Sequence, residues 1–162
     1  MPYYPDSTQE QLARTRLGIR VDRAASVTPQ HAGVDDVTYF TVMTGKVLLT
    51  LLYGEITTAI AAGANSINIY HTPTTATAGV GAIAAATSIA SYAEGDIITI
   101  NGLLTDTLLP AVTAGSAHGM PYLGVILVPG TLKWNATGAT TGNWKWSLWY
   151  IPIDDDAYVV AN

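Results

Sequence analysis

The stretch 36–62 constrains the fold more than any other part of the chain. Its sequence, DDVTYFTVMTGKVLLTLLYGEITTAIA, is rich in β-branched and aromatic residues and is interrupted at Thr44-Gly45 and at Gly54. A continuous apolar run fits either a buried helix or a strand that is covered on both faces. β-Branched and aromatic side chains suit a pleated surface, and glycine supplies the positive φ of a tight turn. We therefore predict three strands, 37–43, 46–53 and 55–61, with the first two paired as a hairpin.

Similar short apolar runs, separated by glycine, proline and asparagine, continue to the end of the chain. The clearest are 66–71, 97–100, 122–128, 131–135, 143–151 and 158–160. A Thr/Gly loop separates 131–135 from 143–151, which predicts a second hairpin. The total of roughly nine or ten short strands, with no long helix, is typical of an all-β antiparallel sandwich or jelly roll. We expect this β-sandwich domain to occupy residues 36–162.

Residues 1–35 are predicted to form an extended N-terminal arm. Ser7 and Glu10 have the spacing of a helix-capping box, and Leu12, Ala13 and Leu17 share one helical face. A helix of about ten residues is marginal in isolation and needs a surface to lie on. We expect that surface to belong to a neighbouring molecule in a larger assembly. The residues predicted to make the contact are Leu12, Arg14, Arg16, Leu17 and Arg20.

The scarcity of charge is the unusual feature of the composition. Only 12% of the 162 residues are charged, against about 25% in ordinary domains, and no Lys or Arg lies between Lys46 and Lys133. Such a chain either covers its surface with copies of itself or a host assembly, or is a weakly charged monomer. The net charge of −5 disfavours nucleic acid as a partner, because phosphate is repelled. No stretch is apolar enough to predict a membrane span.

The search for chemistry in the sequence predicts no catalytic residue, no metal site and no cofactor. His31, His71 and His118 are scattered singly, which is typical of polar loop or strand-edge residues. No nucleophile elbow, phosphate loop or dinucleotide fingerprint is present. The run Asp154-Asp155-Asp156 could hold Ca²⁺, but it lacks the spaced ligands of a calcium loop, so a solvated acidic turn is favoured.

All four tryptophans lie between 134 and 149. They can pack in the core, anchor a subunit interface, or form a platform that stacks on sugar. Strand alternation allows Trp144 and Trp146 to be core together and points Trp149 the other way. We predict a subunit interface led by Trp149 and including Trp144, Trp146 and Tyr150.

Two parts of the sequence resemble small β-rich head decoration (cement) proteins of tailed bacteriophages. One is the run 40–62, with GKVLLT and GEITTAI, and the other is the end, with VPGT and WKWSLWYIP. The resemblance implies a homotrimer on the outside of an icosahedral capsid, assembled in the host cytoplasm, that binds the major capsid protein and clamps neighbouring capsomers. It implies neither enzymatic activity nor a cofactor. Under this resemblance, the neighbouring molecule that the arm contacts is expected to be one on the particle, such as the capsid.

Two other classes of function stay open from the sequence. A tail, baseplate or head-fibre module that recognises a host surface or glycan would share the same low charge and β pattern. An enzyme such as a depolymerase is a third hypothesis, although no catalytic constellation supports it.

Overall fold

Short runs of β-branched and aromatic residues form strands throughout the part of the chain that the computed structural model describes. The described residues are 17–27, 37–61, 66–75, 81–100, 109–111, 124–138 and 141–162. They form two antiparallel sheets that pack face to face. The predicted all-β antiparallel sandwich is therefore confirmed, whereas the jelly-roll connectivity and the arm stay predictions.

In the described ranges the strands are β1 (Ile19–Val27), β2 (Val37–Val42), β3 (Val47–Thr58), β4 (Ser66–Pro73), β5 (Gly81–Ser88), β6 (Ile97–Thr99), β7 (Leu109–Ala111), β8 (Val125–Leu127), β9 (Gly130–Ala136), β10 (Asn143–Pro152) and β11 (Val159–Ala161). The six-stranded sheet has the order β1-β10-β3-β6-β7, with β8 also paired to β3. The five-stranded sheet has the order β11-β2-β9-β4-β5.

Both predicted hairpins are wrong, because each turn carries the chain from one sheet to the other. β2 pairs with β9 and β11, whereas β3 pairs with β10, β6 and β8. Likewise β9 lies in the five-stranded sheet and β10 in the six-stranded one. The physical reason is burial: each strand has one apolar face, and crossing to the opposite sheet brings two such faces together around one core.

Gly54 lies inside β3 and does not end it, contrary to the sequence prediction of a break there. It faces the core, opposite Trp146 of β10. A Cβ atom added at Gly54 would lie 2.6 Å from Cε2 of Trp146. Glycine is therefore present because the indole ring occupies the space of a side chain, and β3 runs without interruption through the centre of its sheet.

The sandwich begins earlier in the chain than the sequence predicts. Ile19–Val27, assigned to the arm, forms β1 and pairs with β10 along the edge of the six-stranded sheet. Its alternation was hidden by arginines: Arg20 and Asp22 face outward, opposite Trp149 and Ser147. Of the predicted arm, residues 1–16 and 28–35 lie outside the described residues.

Arg23 closes the edge of the sandwich from β1. It faces inward, in register with Trp146, and its guanidinium lies 4.3 Å from the ring centroid of Tyr39 on the opposite sheet. Its Nε donates a hydrogen bond to the backbone oxygen of Asn162. Burial raises the pKa of Tyr39 well above its ordinary value, so the phenol stays neutral and accepts a 2.6 Å hydrogen bond from Nε1 of Trp144.

Aromatic rings fill the space between the sheets. Trp146 of the six-stranded sheet meets Trp134 of the five-stranded sheet edge-on, with ring centroids 4.8 Å apart, and Trp144 lies 5.5 Å from Trp146. Trp144, Trp146 and Tyr150 are at most 3% exposed. This corrects the predicted subunit interface: these three side chains are core, because their strand face is covered by the chain's own second sheet.

His71 is also buried, although the sequence predicted a loop or strand-edge residue. It faces inward from β4 beside Leu132 and hydrogen-bonds to the Val128 backbone. Its Nε2 is enclosed without a hydrogen-bond partner in the described structure, next to Gly130. Burial lowers the pKa of His71, against the opposing effect of the Val128 hydrogen bond. The folded state therefore favours the neutral ring.

We expect His71 to weaken the fold in acid. Unfolded histidine has a pKa of 6.5, whereas the folded pKa lies below it. The stabilisation is complete above pH 6.5 and is lost as the pH falls through the folded pKa, because the unfolded state binds the proton more tightly. Urea unfolding at about pH 8 and about pH 5 measures this effect. Between these two pH values the free energy of unfolding should fall more for the native protein than for His71→Asn, whose amide keeps a donor for Val128. Equal losses in the two proteins would contradict this assignment.

Candidate docking surface

Large apolar side chains that remain exposed in the described part of the chain all lie at one end of the sandwich. They are Ile126 (63% exposed), Ile19 (49%), Ile153 (47%), Tyr158 (45%), Met43 (39%) and Ile151 (36%). Strand pairing places them together, because Ile126 and Ile151 both pair with Leu48, and Ile19 pairs with the neighbouring Tyr150. Met43 and Tyr158 meet at the same end through a 2.9 Å backbone hydrogen bond. We call these six residues the apolar end.

The acidic run beside the apolar end has a structural role. The Asp154 carboxylate accepts a 2.8 Å hydrogen bond from the backbone N–H of Lys46 and lies 3.4 Å from its Nζ. The backbone hydrogen bond from Lys46 lowers the pKa of Asp154. The hydroxyl of Thr44 donates to the backbone oxygen of Asp156. The acidic turn thus holds the β2–β3 loop in place. It also fixes the backbone at Met43 relative to the backbone at Ile153.

The outer face of the six-stranded sheet continues from the apolar end. A first row across three strands consists of Ile151, Leu48 and Ile126. The next row pairs Trp149 with Leu51. Further along, the face becomes polar and ends at a 2.8 Å ion pair between Lys145 and Glu55, in which the hydrogen bond to Glu55 raises the pKa of Lys145. The face therefore has an apolar half next to the apolar end and a charged half away from it.

Trp149 lies on this outer face, as strand alternation predicts, and both sides of its ring are covered. Tyr53 of β3 stacks on it with ring centroids 5.5 Å apart, and the Arg20 guanidinium of β1 lies 4.9 Å from its centroid. Because β3 and β1 flank β10, the two side chains reach the indole from opposite sides. The geometry favours a packed contact over a sugar-stacking platform, which needs a free ring face.

Arg20 meets a carboxylate of its own strand. Its Nε lies 2.7 Å from Oδ1 of Asp22, which also accepts a 2.6 Å hydrogen bond from Ser147. Partial burial alone would raise the pKa of Asp22, but the hydrogen bonds from Ser147 and Arg20 lower it below its ordinary value. This pairing differs from the sequence prediction that Arg20 meets carboxylates of a neighbour.

The other residues predicted in the arm contact are divided by the limit of the described residues. Leu17 is half-buried, and its backbone oxygen accepts a hydrogen bond from the hydroxyl of Thr50. Leu12, Arg14 and Arg16 lie outside the described residues, so their contact with a neighbour stays a prediction.

Sequence reasoning missed the apolar end. The available signal was the presence of bulky apolar residues next to polar turns: Met43 before Thr44-Gly45, and Ile153 and Tyr158 on either side of the acidic run. Such flanking residues are ordinary when single, and only their convergence in the fold makes a surface.

Within the described residues, no group of three His, Cys, Asp or Glu side chains is placed to hold a metal ion. The same residues contain no helix with the length and apolar content to cross a membrane. Comparison of the chain with known protein families, curated proteins and solved structures finds no match.

Proposed function

We propose that this protein is a structural virion protein that docks through its apolar end onto the outer surface of a phage head, as a decoration or cement protein. The observation that carries the proposal is the location of the exposed bulky apolar side chains of the described residues at one end of the sandwich. Clustered exposed apolar residues mark interaction surfaces, whereas single ones are ordinary.

The surroundings of the apolar end support a protein partner. Interfaces have an apolar centre and a polar rim, and here the exposed Lys46–Asp154 ion pair and the Asp155 and Asp156 side chains border the apolar residues. The low content of charged residues agrees with a chain that functions as part of an assembly. The proposed partner, the major capsid protein, and the proposed homotrimer come from the resemblance of the sequence to cement proteins.

The proposal is tested by adding the purified protein to capsids that lack it. A variant with Met43→Ser, Ile153→Ser and Tyr158→Ser should bind roughly 100-fold more weakly, because each half-exposed side chain contributes about 1 kcal/mol when it is buried and about 1.4 kcal/mol corresponds to tenfold. Binding is measured by co-sedimentation with the capsids over a range of protein concentrations.

The matched control carries Thr58→Ser, Ala59→Ser and Ala61→Ser, three exposed positions at the opposite end of β3. This control should bind capsids like the native protein, and both variants should keep the native circular-dichroism spectrum. The proposal fails if the two variants bind equally well. It also fails if the native protein ignores capsids but binds host cells, which is the result expected of a tail, baseplate or fibre module.

A further inference from the structure

We propose that the apolar half of the outer face of the six-stranded sheet is the seat of the chain's own N-terminal segment, residues 1–16. The face consists of the row Ile151, Leu48 and Ile126 and of Leu51 beside Trp149. This assignment goes beyond the proposed docking function. Of the apolar end, the segment covers Ile126 and Ile151, whereas the loop residues Met43, Ile153 and Tyr158 remain for the capsid.

The direction in which the chain enters β1 carries the argument. Leu17 has helical geometry, and its backbone oxygen accepts a hydrogen bond from the Thr50 hydroxyl. Thr50 belongs to β3, whereas β1 lies on the far side of β10. The chain just before β1 therefore crosses over β10 to reach β3, and it lies on a face of the sheet rather than beyond its edge.

Gly18 shows which face the chain crosses. Its φ of +86° belongs to the left-handed region, which other residues rarely adopt. A Cβ added there would meet the backbone oxygen of Tyr150 and would lie 2.8 Å from Cγ1 of Ile151. The Ile151 side chain points outward, while Tyr150 is buried in the core. Gly18 therefore turns the chain onto the outer face, directly at the apolar row.

The sequence of the segment matches the seat. In a helix, Leu12, Ala13 and Leu17 would lie on one face, and Gly18 follows where such a helix is expected to end. A helix over residues 7–17 is about 16 Å long at 1.5 Å per residue. The three strands of the apolar row span about 10 Å at a spacing of about 4.8 Å. One such helix is long enough to cover the row.

The anchor at Thr50 also decides whose face is covered. The sequence predicted that the segment lies on a neighbouring molecule, such as the capsid. The structure fixes Leu17 on the chain's own β3, so a segment that leaves Leu17 needs no linker to reach its own sheet. Covering this face within one chain avoids the loss of translational freedom that a contact with a second molecule carries.

Disulfide crosslinking of the full chain tests the proposal, because the native sequence has no cysteine. Leu12→Cys is combined in turn with Leu48→Cys, Ile126→Cys and Ile151→Cys under mild oxidation. We expect at least one pair to form a crosslink that leaves the denatured chain at monomeric mass. Gln11→Cys, on the opposite helical face, is the matched control and should form none. Absence of every crosslink overturns the proposal, and crosslinked dimers or trimers assign the seat to another copy's segment and overturn it as well.

Thiol labelling provides an independent measurement without oxidation. In full-length Leu48→Cys, adding Leu12→Asp should raise the labelling rate at least tenfold, whereas Gln11→Asp, with the same charge change, should leave it unaltered. Lys133→Cys, on the five-stranded sheet, reports on general loosening and should label equally in all variants. Equal rates with Leu12→Asp and Gln11→Asp overturn the proposal. Protection that disappears on dilution, or that requires capsids, shows that a second copy or the capsid is the occupant instead.

Discussion

Replacing Trp146 with alanine is expected to lower the free energy of unfolding by about 3–5 kcal/mol. The side chain is 0% exposed, and its ring contacts Trp134 of the opposite sheet and Trp144 of its own strand. Its removal leaves a cavity where the two sheets meet, and neighbouring aromatic rings are too rigid to collapse into it. The loss therefore includes both the transfer of the ring to water and the unfilled volume.

Trp149→Ala is the matched control, since it removes the same side chain three residues later on the same strand. Trp149 is half-buried on the outer face, where its stacking on Tyr53 contributes about 0.5–1.5 kcal/mol in addition to partial burial. We expect Trp149→Ala to lower the free energy of unfolding by less than half as much as Trp146→Ala does. Guanidinium unfolding followed by circular dichroism measures both. Equal losses would show that the inward and outward faces of β10 are wrongly assigned.

Gly54→Ala is expected to destabilise the fold by about 1–3 kcal/mol, although alanine in a strand is normally favoured over glycine by about 0.5–1 kcal/mol. The added methyl would lie 2.6 Å from Cε2 and 2.7 Å from Cζ2 of Trp146. Trp134 and Trp144 pack against that ring, so it has no space to retreat. The sign of the change, measured by the same unfolding experiment, reports directly on the contact.

Two further variants separate this contact from a general intolerance of strands to alanine. Gly81→Ala in β5 adds a methyl that meets nothing within 4 Å, so it should be neutral or stabilising. Trp146→Leu should make Gly54→Ala much less harmful, with a coupling of about 0.5–3 kcal/mol in the double-mutant cycle. Additive effects of Gly54→Ala and Trp146→Leu would contradict the contact.

Alternation along a strand was a sound guide to which residues face the core, and a poor guide to which strands pair. The pattern in 143–151 correctly placed Trp144, Trp146, Leu148 and Tyr150 on one face and Trp149 on the other. It could not identify partners, because the period of a strand is the same in a hairpin and in a turn that crosses between sheets. For the same reason Thr44-Gly45 indicated a turn but not its destination. From the sequence Gly54 indicated a strand break, because the reason for a glycine there, the ring of Trp146, belongs to a residue that is distant in sequence.

The candidate surface was less predictable than the fold, because it depends on convergence. Trp149 could be placed outside the core from β10 alone. Met43 and Tyr158, by contrast, are adjacent only after β11 pairs with β2. The edge strand β1 was missed since Arg20, Asp22 and Arg23 break the apolar pattern, and only the register with β10 shows that Arg23 faces inward over Tyr39.

The position of β10 determines when the molecule can fold during synthesis. This strand lies between β1 and β3 in its sheet, yet it is made after nearly all the others. Until Asn143–Pro152 leaves the ribosome, β1 has no described partner and one long edge of β3 is open. Pairing between such distant segments is slow, and unpaired edges promote aggregation of nascent chains. Newly made chains therefore pass through an interval in which the unpaired β1 and the open edge of β3 are available for chaperones to bind. That interval ends when β10 pairs with both strands.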